Sequence, residues 1–248
     1  MTATTYALLL VSLPLHAGPL RRNAPKRPRV QRHFAVLPLA APRPFIAPRF
    51  RTTPVPSRPP TGSTDHAAQE LLRKMLQAEN TLALTGIQTT TVAHNGLDIS
   101  SEQQVSRNGA RALRIDYLRP PRLAGEEIVD NGRFYCHLIP ARDTLELSPS
   151  QILSLRVRVP EVLRQVKSGQ LIVQSAGQET VAGHACGIVT VAARSSTPVP
   201  WRRFWIDLTN GAQLRIEQYE AGGQLQSASH YSQVTYNPRF EAGTFRVP

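Results

Sequence analysis

Residues 82–118, LALTGIQTTTVAHNGLDISSEQQVSRNGARALRIDYL, decide the fold, because long parts of this stretch alternate between apolar and polar side chains. Asn-Gly pairs at 95–96 and 108–109 divide the stretch into three runs. Asn and Gly both accept the positive φ that tight hairpin turns require. The stretch therefore predicts three antiparallel strands joined by two hairpins.

The same pattern continues to residue 236. Further turn signals are Asn-Gly at 131–132 and 210–211 and Gly-Gly at 222–223. Sequential hairpins predict an up-and-down sheet of about eleven strands that curls into a sandwich or an open barrel. The predicted strand runs are 82–94, 97–107, 110–118, 123–130, 133–139, 144–147, 170–175, 179–181, 184–194, 202–208, 213–219 and 224–236.

A helix is predicted before the first strand, over residues 65–80. Thr64 or Asp65 can cap its start, because both side chains accept hydrogen bonds from free backbone N–H groups. Its apolar residues recur at helical spacing and form one stripe that could cover a sheet. The stripe consists of Ala68, Leu71, Leu72, Met75 and Leu76.

A helical insertion is predicted between the two sets of strands. Residues 150–156 and 160–167 are interpreted as two short helices, since Pro149 and Pro160 suit the first turn of a helix. Gly169 suits the position just after a helix end. The predicted class is α+β, mainly β, with helices covering the concave face of the sheet.

Alternation gives several strands an apolar face. Each of three runs places apolar side chains on alternate positions, with mainly polar or aromatic side chains between them. The opening helix is available to cover such a face. The alternating sets are Leu113, Ile115 and Tyr117; Phe134, Cys136 and Leu138; and Phe204, Ile206 and Leu208.

The basic charge is concentrated in residues 18–64. This segment holds 10 of the 29 Lys and Arg residues and no Asp or Glu, so residues 65–248 carry 29 − 10 = 19 basic and 17 acidic residues, a net charge of only +2. Its prolines and like charges predict a disordered arm that precedes a single domain over 65–248. The arm could contact an anionic membrane surface or bind nucleic acid nonspecifically, or it could be a simple tether. A nearly neutral domain does not indicate a specific nucleic-acid site.

Residues 1–17 are interpreted as a secretory signal. An apolar run at 6–15 is followed by small residues, as in the core and cleavage site of such signals. The usual basic start is missing. The alternative is a mis-assigned start codon. A signal peptide would place the protein in the periplasm or outside the cell.

Catalytic chemistry is not indicated. The chain has no nucleophile elbow, phosphate-binding loop, dinucleotide fingerprint or zinc-protease motif, so no enzyme activity and no cofactor are predicted. Glu126 and Glu127 are adjacent on a strand and should face opposite sides as solvated edge residues. The histidines are scattered, and His137 is interpreted as structural or exposed.

Two further sets of residues have alternative interpretations. Cys136 and Cys186 lack metal-ligand spacing and could form a disulfide or remain two buried thiols. Trp201 and Trp205 can share a strand face, beside Arg202 and Arg203. Exposed, they would suit nucleic-acid stacking, but core packing is the preferred interpretation.

Several motifs together resemble a known family. They include RIDY at 114–117, PP at 120–121, LAG at 123–125, IVDNG at 128–132, FYCHLIP at 134–140, VAG at 181–183, WID at 205–207 and LR at 214–215. This pattern of strands and turns resembles the amino-terminal domain of the sigma-E regulatory RseB/MucB proteins. More distantly, it resembles the LolA/LolB lipoprotein carriers. The resemblance covers residues 65–248.

The resemblance implies an unclosed antiparallel barrel with helices over a hydrophobic groove. It implies export, binding of an acyl lipid or lipoprotein, and no enzyme activity. The alternative it implies is a protein-binding regulator of a membrane anti-sigma factor. The expected groove residues are Leu72, Met75, Leu76, Leu113, Ile115, Tyr117, Phe134, Leu138, Ile188, Phe204 and Ile206.

Overall fold

The computed structural model describes residues 59–94 and 97–247. Within these ranges the chain forms two α-helices and eleven β-strands, with a short 3-10 turn at Pro140–Arg142. The helices are α1 (His66–Thr81) and α2 (Ile152–Lys167). The strands are β1 (Ala83–His94), β2 (Leu97–Asn108), β3 (Ala112–Arg119), β4 (Glu127–Asp130), β5 (Phe134–Ile139), β6 (Thr144–Pro149), β7 (Leu171–Val181), β8 (His184–Ala193), β9 (Trp201–Asp207), β10 (Gln213–Tyr219) and β11 (Leu225–Tyr236).

All eleven strands belong to one antiparallel sheet, in the order β6-β5-β4-β3-β2-β1-β11-β10-β9-β8-β7. Consecutive strands are neighbours except β6 and β7, which form the two edges and are connected through α2. The first and last strands, β1 and β11, pair with each other instead. The sheet is thus a series of hairpins that curls without closing. This confirms the predicted open barrel, and we call β1–β6 the first half and β7–β11 the second half.

Both helices lie on one face of the sheet, which we call the inner face. Apolar side chains of α1 pack there against β7, β8, β9 and β10, and α2 contributes to the same cluster from its carboxyl-terminal half. These side chains are nearly all buried, so the second half has a filled core. The cluster contains Ala68, Leu72, Met75, Leu76, Val162, Val166, Leu171, Val173, Val189, Val191, Phe204, Ile206 and Ile216.

The first helix begins and ends at fixed attachments to the sheet. Asp65 is its N-cap, where the carboxylate accepts a hydrogen bond from the backbone N–H of Ala67 (2.9 Å), and its own N–H donates to the carbonyl of Val173 (2.8 Å). At the other end, the carbonyl of Asn80 accepts from the N–H of Ala110 (3.0 Å). Gly109 has φ +53°, and a Cβ there would lie 2.4 Å from the Asn80 oxygen, so this turn requires glycine.

The prediction of two short helices in the insertion was wrong. Residues 152–167 form one helix, α2, with Pro160 inside it. An interior proline removes one backbone hydrogen bond and costs about 3 kcal/mol. Val162 and Val166, one turn apart beyond the proline, pack in the core cluster and favour continuation of the helix. Tertiary packing therefore outweighed the local signal.

The predicted runs 170–175 and 179–181 are parts of one strand, β7. Its pairing with β8 is irregular between Ser175 and Gln178, which explains the polar interruption in the sequence. Gly177, with φ +102°, lies within this irregularity. The strand is therefore continuous but bent.

The predicted signal at 1–17 and residues 18–58 of the predicted arm lie outside the described residues. The last part of the arm contacts β7 and β8. The Gln174 side chain donates to the carbonyl of Thr61 (2.7 Å), and the Arg194 side chain donates to the carbonyl of Gly62 (3.3 Å). Among the helices described, none is long and apolar enough to cross a membrane.

Candidate functional site

Strand register decides which candidate residues share the inner face. Leu113 pairs with Arg107 on β2 and with Asp130 on β4. The Arg107 side chain forms an ion pair with α1, and the Asp130 side chain accepts hydrogen bonds from the start of α2. Directly paired residues point to the same face of a sheet. Leu113 therefore lies on the inner face, together with Ile115 and Tyr117 at alternate positions.

Another group of candidates belongs to the filled core beneath α1. Leu72, Met75 and Leu76 of α1 and Phe204 and Ile206 of β9 are in the same cluster, and all are at most 7% exposed. The structure brings these five together in one core cluster, where their side chains are buried and pack together.

The inner face of the first half has a different covering. Ile115 is buried in a second cluster with Ile128 and Tyr135, and Leu113 and Tyr117 are only partly buried against it. The main backbone contacts of the two helices are with β7, β8, β9 and each other. The inner face of β3, β4 and β5 is therefore an apolar surface that α1 does not fill.

A single carboxylate holds the start of α2 over this surface. Oδ2 of Asp130, at the end of β4, accepts from the backbone N–H groups of Gln151 (2.8 Å) and Ile152 (3.1 Å). Its Oδ1 accepts from the Ser150 hydroxyl (2.6 Å) and the Gly132 N–H (3.0 Å). Gln151 stands at the N-cap position but makes no side-chain capping bond. Asp130 therefore supplies the cap from a distant strand, and we call α2 the lid.

The remaining candidates are not on the inner face. His137 pairs with Ile128 and points inward, so Phe134 and Leu138 at the alternating positions of β5 point to the outer face. Phe134 is 43% exposed. Ile188 also faces away from α1, because its neighbour Val189 packs in the cluster beneath that helix. Ile188 nevertheless belongs to the same buried cluster as Ile115, and Leu113 packs against that cluster. Phe134 and Leu138 are not part of it.

The outer face of β5 and β6 carries an apolar patch. Leu145 pairs with Leu138, and Pro149 pairs with Phe134, so their side chains are neighbours on this face. Three large members, Phe134, Leu145 and Leu147, are between 43% and 46% exposed. The outer patch consists of Phe134, Leu138, Leu145, Leu147 and Pro149.

A buried polar pair borders the apolar surface under the lid. Nε2 of His137 lies 3.2 Å from Oε2 of Glu126, and both side chains are largely buried. Glu127 instead pairs with Arg114, so the two glutamates face opposite sides, as expected. The prediction that both are solvated was wrong for Glu126, because its side chain is largely buried beside His137. Burial, and then the charge of Glu126, raises the pKa of Tyr117 to about 12, so its hydroxyl stays protonated.

A second polar group is buried on the outer face of β9 and β10. Trp201 and Trp205 are at most 2% exposed, which excludes the exposed stacking platform and confirms their interpretation as core. The Arg203 guanidinium lies 5.5 Å from the Trp201 ring and 5.7 Å from the Trp205 ring. Glu217, itself buried, is 3.7 Å from Arg203 and also accepts from Arg215 and the Tyr219 hydroxyl.

The cysteines and metal-binding chemistry add no site. Cys136 and Cys186 are free and buried, which agrees with two separate thiols and not with a disulfide. They lie on β5 and β8, each the second strand from opposite edges of the sheet. In the described part of the chain, no group of three His, Cys, Asp or Glu side chains could hold a metal ion.

Comparisons with solved structures establish the fold. An uncharacterised conserved protein from Thermus thermophilus is similar with a TM-score of 0.51 and 16% identity, over 74% of this chain and 95% of that chain. A chain of the Pseudomonas aeruginosa MucA/MucB complex has a TM-score of 0.53 and 20% identity, over 73% and 61%. MucB alone also has a TM-score of 0.53, with 19% identity over 75% and 65%. No family model and no curated protein matches the sequence.

The chain shares the fold of the part of MucB that it matches. The resemblance inferred from the sequence motifs is thereby confirmed at the level of the fold. The chain spans less than two thirds of the length of the MucB chains it matches. MucB is solved both alone and in complex with MucA.

Proposed function

We propose that this chain is an exported, non-enzymatic domain that binds the acyl chain of a lipid or lipoprotein, as a carrier or an envelope-stress sensor. The acyl chain lies between the lid and the inner face of β3, β4 and β5. Leu113, Ile115 and Tyr117 contact it from the sheet. The signal at 1–17 directs export, and the basic arm at 18–64 brings the domain to an anionic membrane surface.

One observation carries this proposal: the apolar inner face of the first half is not filled by α1, and the start of the lid is attached beside it at Asp130. In the second half, α1 and α2 supply side chains that bury inner-face residues of β7, β8, β9 and β10. In the first half, Leu113 and Tyr117 remain partly exposed. An acyl chain would complete this surface, at about 0.8 kcal/mol for each CH₂ group removed from water.

The construction of the lid supports entry of a chain. Its start is attached to β4 through the hydrogen bonds to Asp130, whereas its later part is held by Val162 and Val166 in the core. Pro160 lies between these two attachments and interrupts the backbone hydrogen bonding. The first part of the lid can therefore lift while the second part stays packed.

Native mass spectrometry of the full chain, purified without detergent from an envelope fraction, tests acyl binding. The wild type is expected to carry extra mass matching acyl lipids or to take up added lipid. Leu113→Asp places a charge on the partly exposed inner face and should abolish uptake. Phe134→Asp places the same charge on the outer face and should leave uptake intact. Empty wild type that takes up no added lipid would reject the proposal.

A second candidate function is regulation through a protein partner, a membrane anti-sigma factor. Two observations favour it: MucB, with the same fold, is solved in complex with MucA, and the outer patch exposes Phe134, Leu145 and Leu147. The matched pair of variants separates the two functions. Phe134→Asp would lose a protein partner captured by the wild type, and Leu113→Asp would retain it. Capture of that partner by both variants alike would reject the outer patch as its site.

A further inference from the structure

A buried polar pair, His137 and Glu126, borders the apolar surface under the lid. Resting on the proposed function, we infer that the ligand is a neutral acyl compound with a hydroxyl or amide N–H close to its chain, such as an acylglycerol or an acyl amide, and not an anionic fatty acid. The residues that select it are His137, Glu126 and Glu146.

The first reason is an unpaired nitrogen. His137 is 6% exposed, and its Nδ1 is buried without a hydrogen-bond partner. The carboxylate of Glu126 can only accept, so Nε2 of the ring carries the hydrogen of that pair. In the neutral ring, Nδ1 then presents a lone pair that lacks a donor. Buried polar atoms normally have a partner, and a hydroxyl or amide N–H would supply one.

The second reason is position. His137 pairs with Ile128 across β4 and so lies on the same inner face as the apolar surface. Ile128 in turn pairs with Ile115. A group hydrogen-bonded to Nδ1 of His137 would therefore be attached to a chain that lies along Ile128 and Ile115. The head group and the acyl chain of the ligand would therefore contact neighbouring residues in one row across the paired strands.

The third reason is charge. Glu146 pairs with His137 across β5 and β6 and so faces inward, and Glu126 bonds to the same His137 ring. Burial is the main cause of the raised pKa of two inner-face tyrosines, Tyr117 and Tyr135. The charge of Glu126 raises the pKa of Tyr117 further, and the charge of Glu146 contributes to that of Tyr135. A carboxylate or phosphate placed at His137 would meet two like charges, whereas a neutral head group would not.

Competition binding against a fluorescent acyl probe tests this inference with the full chain. Monododecanoylglycerol and dodecanoate share one chain and differ in the head group. At about pH 8, the wild type should bind the glycerol ester about tenfold more tightly than dodecanoate. His137→Phe should remove most of that preference. Glu146→Gln, on the half-buried edge strand, should reduce it by strengthening dodecanoate binding, and Asp143→Asn in an exposed turn is the unaffected control.

The outcomes distinguish this inference from the function it rests on. Equal affinities, or tighter binding of dodecanoate by the wild type, would overturn the head-group selection and leave acyl binding intact. Binding of neither ligand nor the probe would overturn both. Because the comparison of two ligands on the wild type is decisive, the result does not depend on the folding of any variant.

Discussion

Replacing Asp130 with alanine is expected to destabilise the protein by about 3 kcal/mol and to release the start of the lid. The carboxylate accepts hydrogen bonds from Gly132, Ser150, Gln151 and Ile152, and it is 2% exposed. Alanine would leave these donors without their acceptor and would remove the cap of α2. Urea unfolding measures the first effect. Hydrogen exchange at the backbone amides of residues 151 and 152 measures the second.

The control for this prediction is Asp143→Asn. Asp143 is an exposed turn residue with φ +48°, a conformation that asparagine also tolerates. Its replacement should change the free energy of unfolding by less than about 0.5 kcal/mol. If Asp130→Ala behaves like this control, or if amide exchange at the start of the lid does not rise, Asp130 does not hold the lid.

Replacing Glu217 with alanine is expected to destabilise the protein by about 3–5 kcal/mol. The Glu217 and Arg203 side chains are each 4% exposed, and the Arg215 side chain is 11% exposed. Removing the carboxylate leaves two buried guanidinium groups without their shared partner. It also removes the acceptor of the Tyr219 hydroxyl. Equilibrium unfolding in urea measures the loss.

A surface ion pair provides the matched control for Glu217. Glu161 and Arg164 lie one turn apart on α2, and the Arg164 side chain is 72% exposed. Glu161→Ala should cost less than about 1 kcal/mol, because exposed pairs are screened by solvent. A double replacement of Arg203 and Glu217 with methionine should be less destabilising than Glu217→Ala alone. Equal effects of Glu217→Ala and Glu161→Ala would show that this buried cluster is not strongly coupled.

The main architecture could be predicted from the sequence because its signals are local. Alternation in residues 82–118 and the Asn-Gly turns indicate hairpins through short-range geometry. The cap at Asp65 and the apolar stripe of α1 are equally local. The pairing of β1 with β11 could not be read in this way, since no turn joins two strands separated by most of the domain.

The candidate site was predicted only in part, because alternation does not indicate which face is covered. Leu113, Ile115 and Tyr117 were assigned to the same face correctly. On β5, Phe134 and Leu138 looked like the core face, but the register turns Tyr135 and His137 inward. The sequence predicted two helices where α2 is continuous through Pro160. The packing of Val162 and Val166 that favours one helix is a long-range effect, which a local pattern does not show.

Two residues of the proposed site were not predicted from the sequence. Asp130 caps a helix twenty-two positions later in the chain (Asp130 to Ile152), so its role depends on the strand pairing that brings the two together. The only local signal was its place before the Asn131-Gly132 turn, where its Oδ1 also accepts from Gly132. His137 lacked any partner at motif spacing. Its role depends on Glu126, which the β4–β5 hairpin places beside it.

The most direct test of acyl binding under the lid is site-specific fluorescence quenching by a brominated acyl chain. The natural Trp201 and Trp205 are buried, and Trp205 belongs to the same cluster as Ile115, so their own quenching is measured with the wild type and subtracted. A tryptophan is introduced on the inner face by Tyr117→Trp or on the outer patch by Phe134→Trp. Acyl binding under the lid predicts strong additional quenching for Tyr117→Trp and none for Phe134→Trp. Quenching for Phe134→Trp alone, or for neither variant, would contradict it.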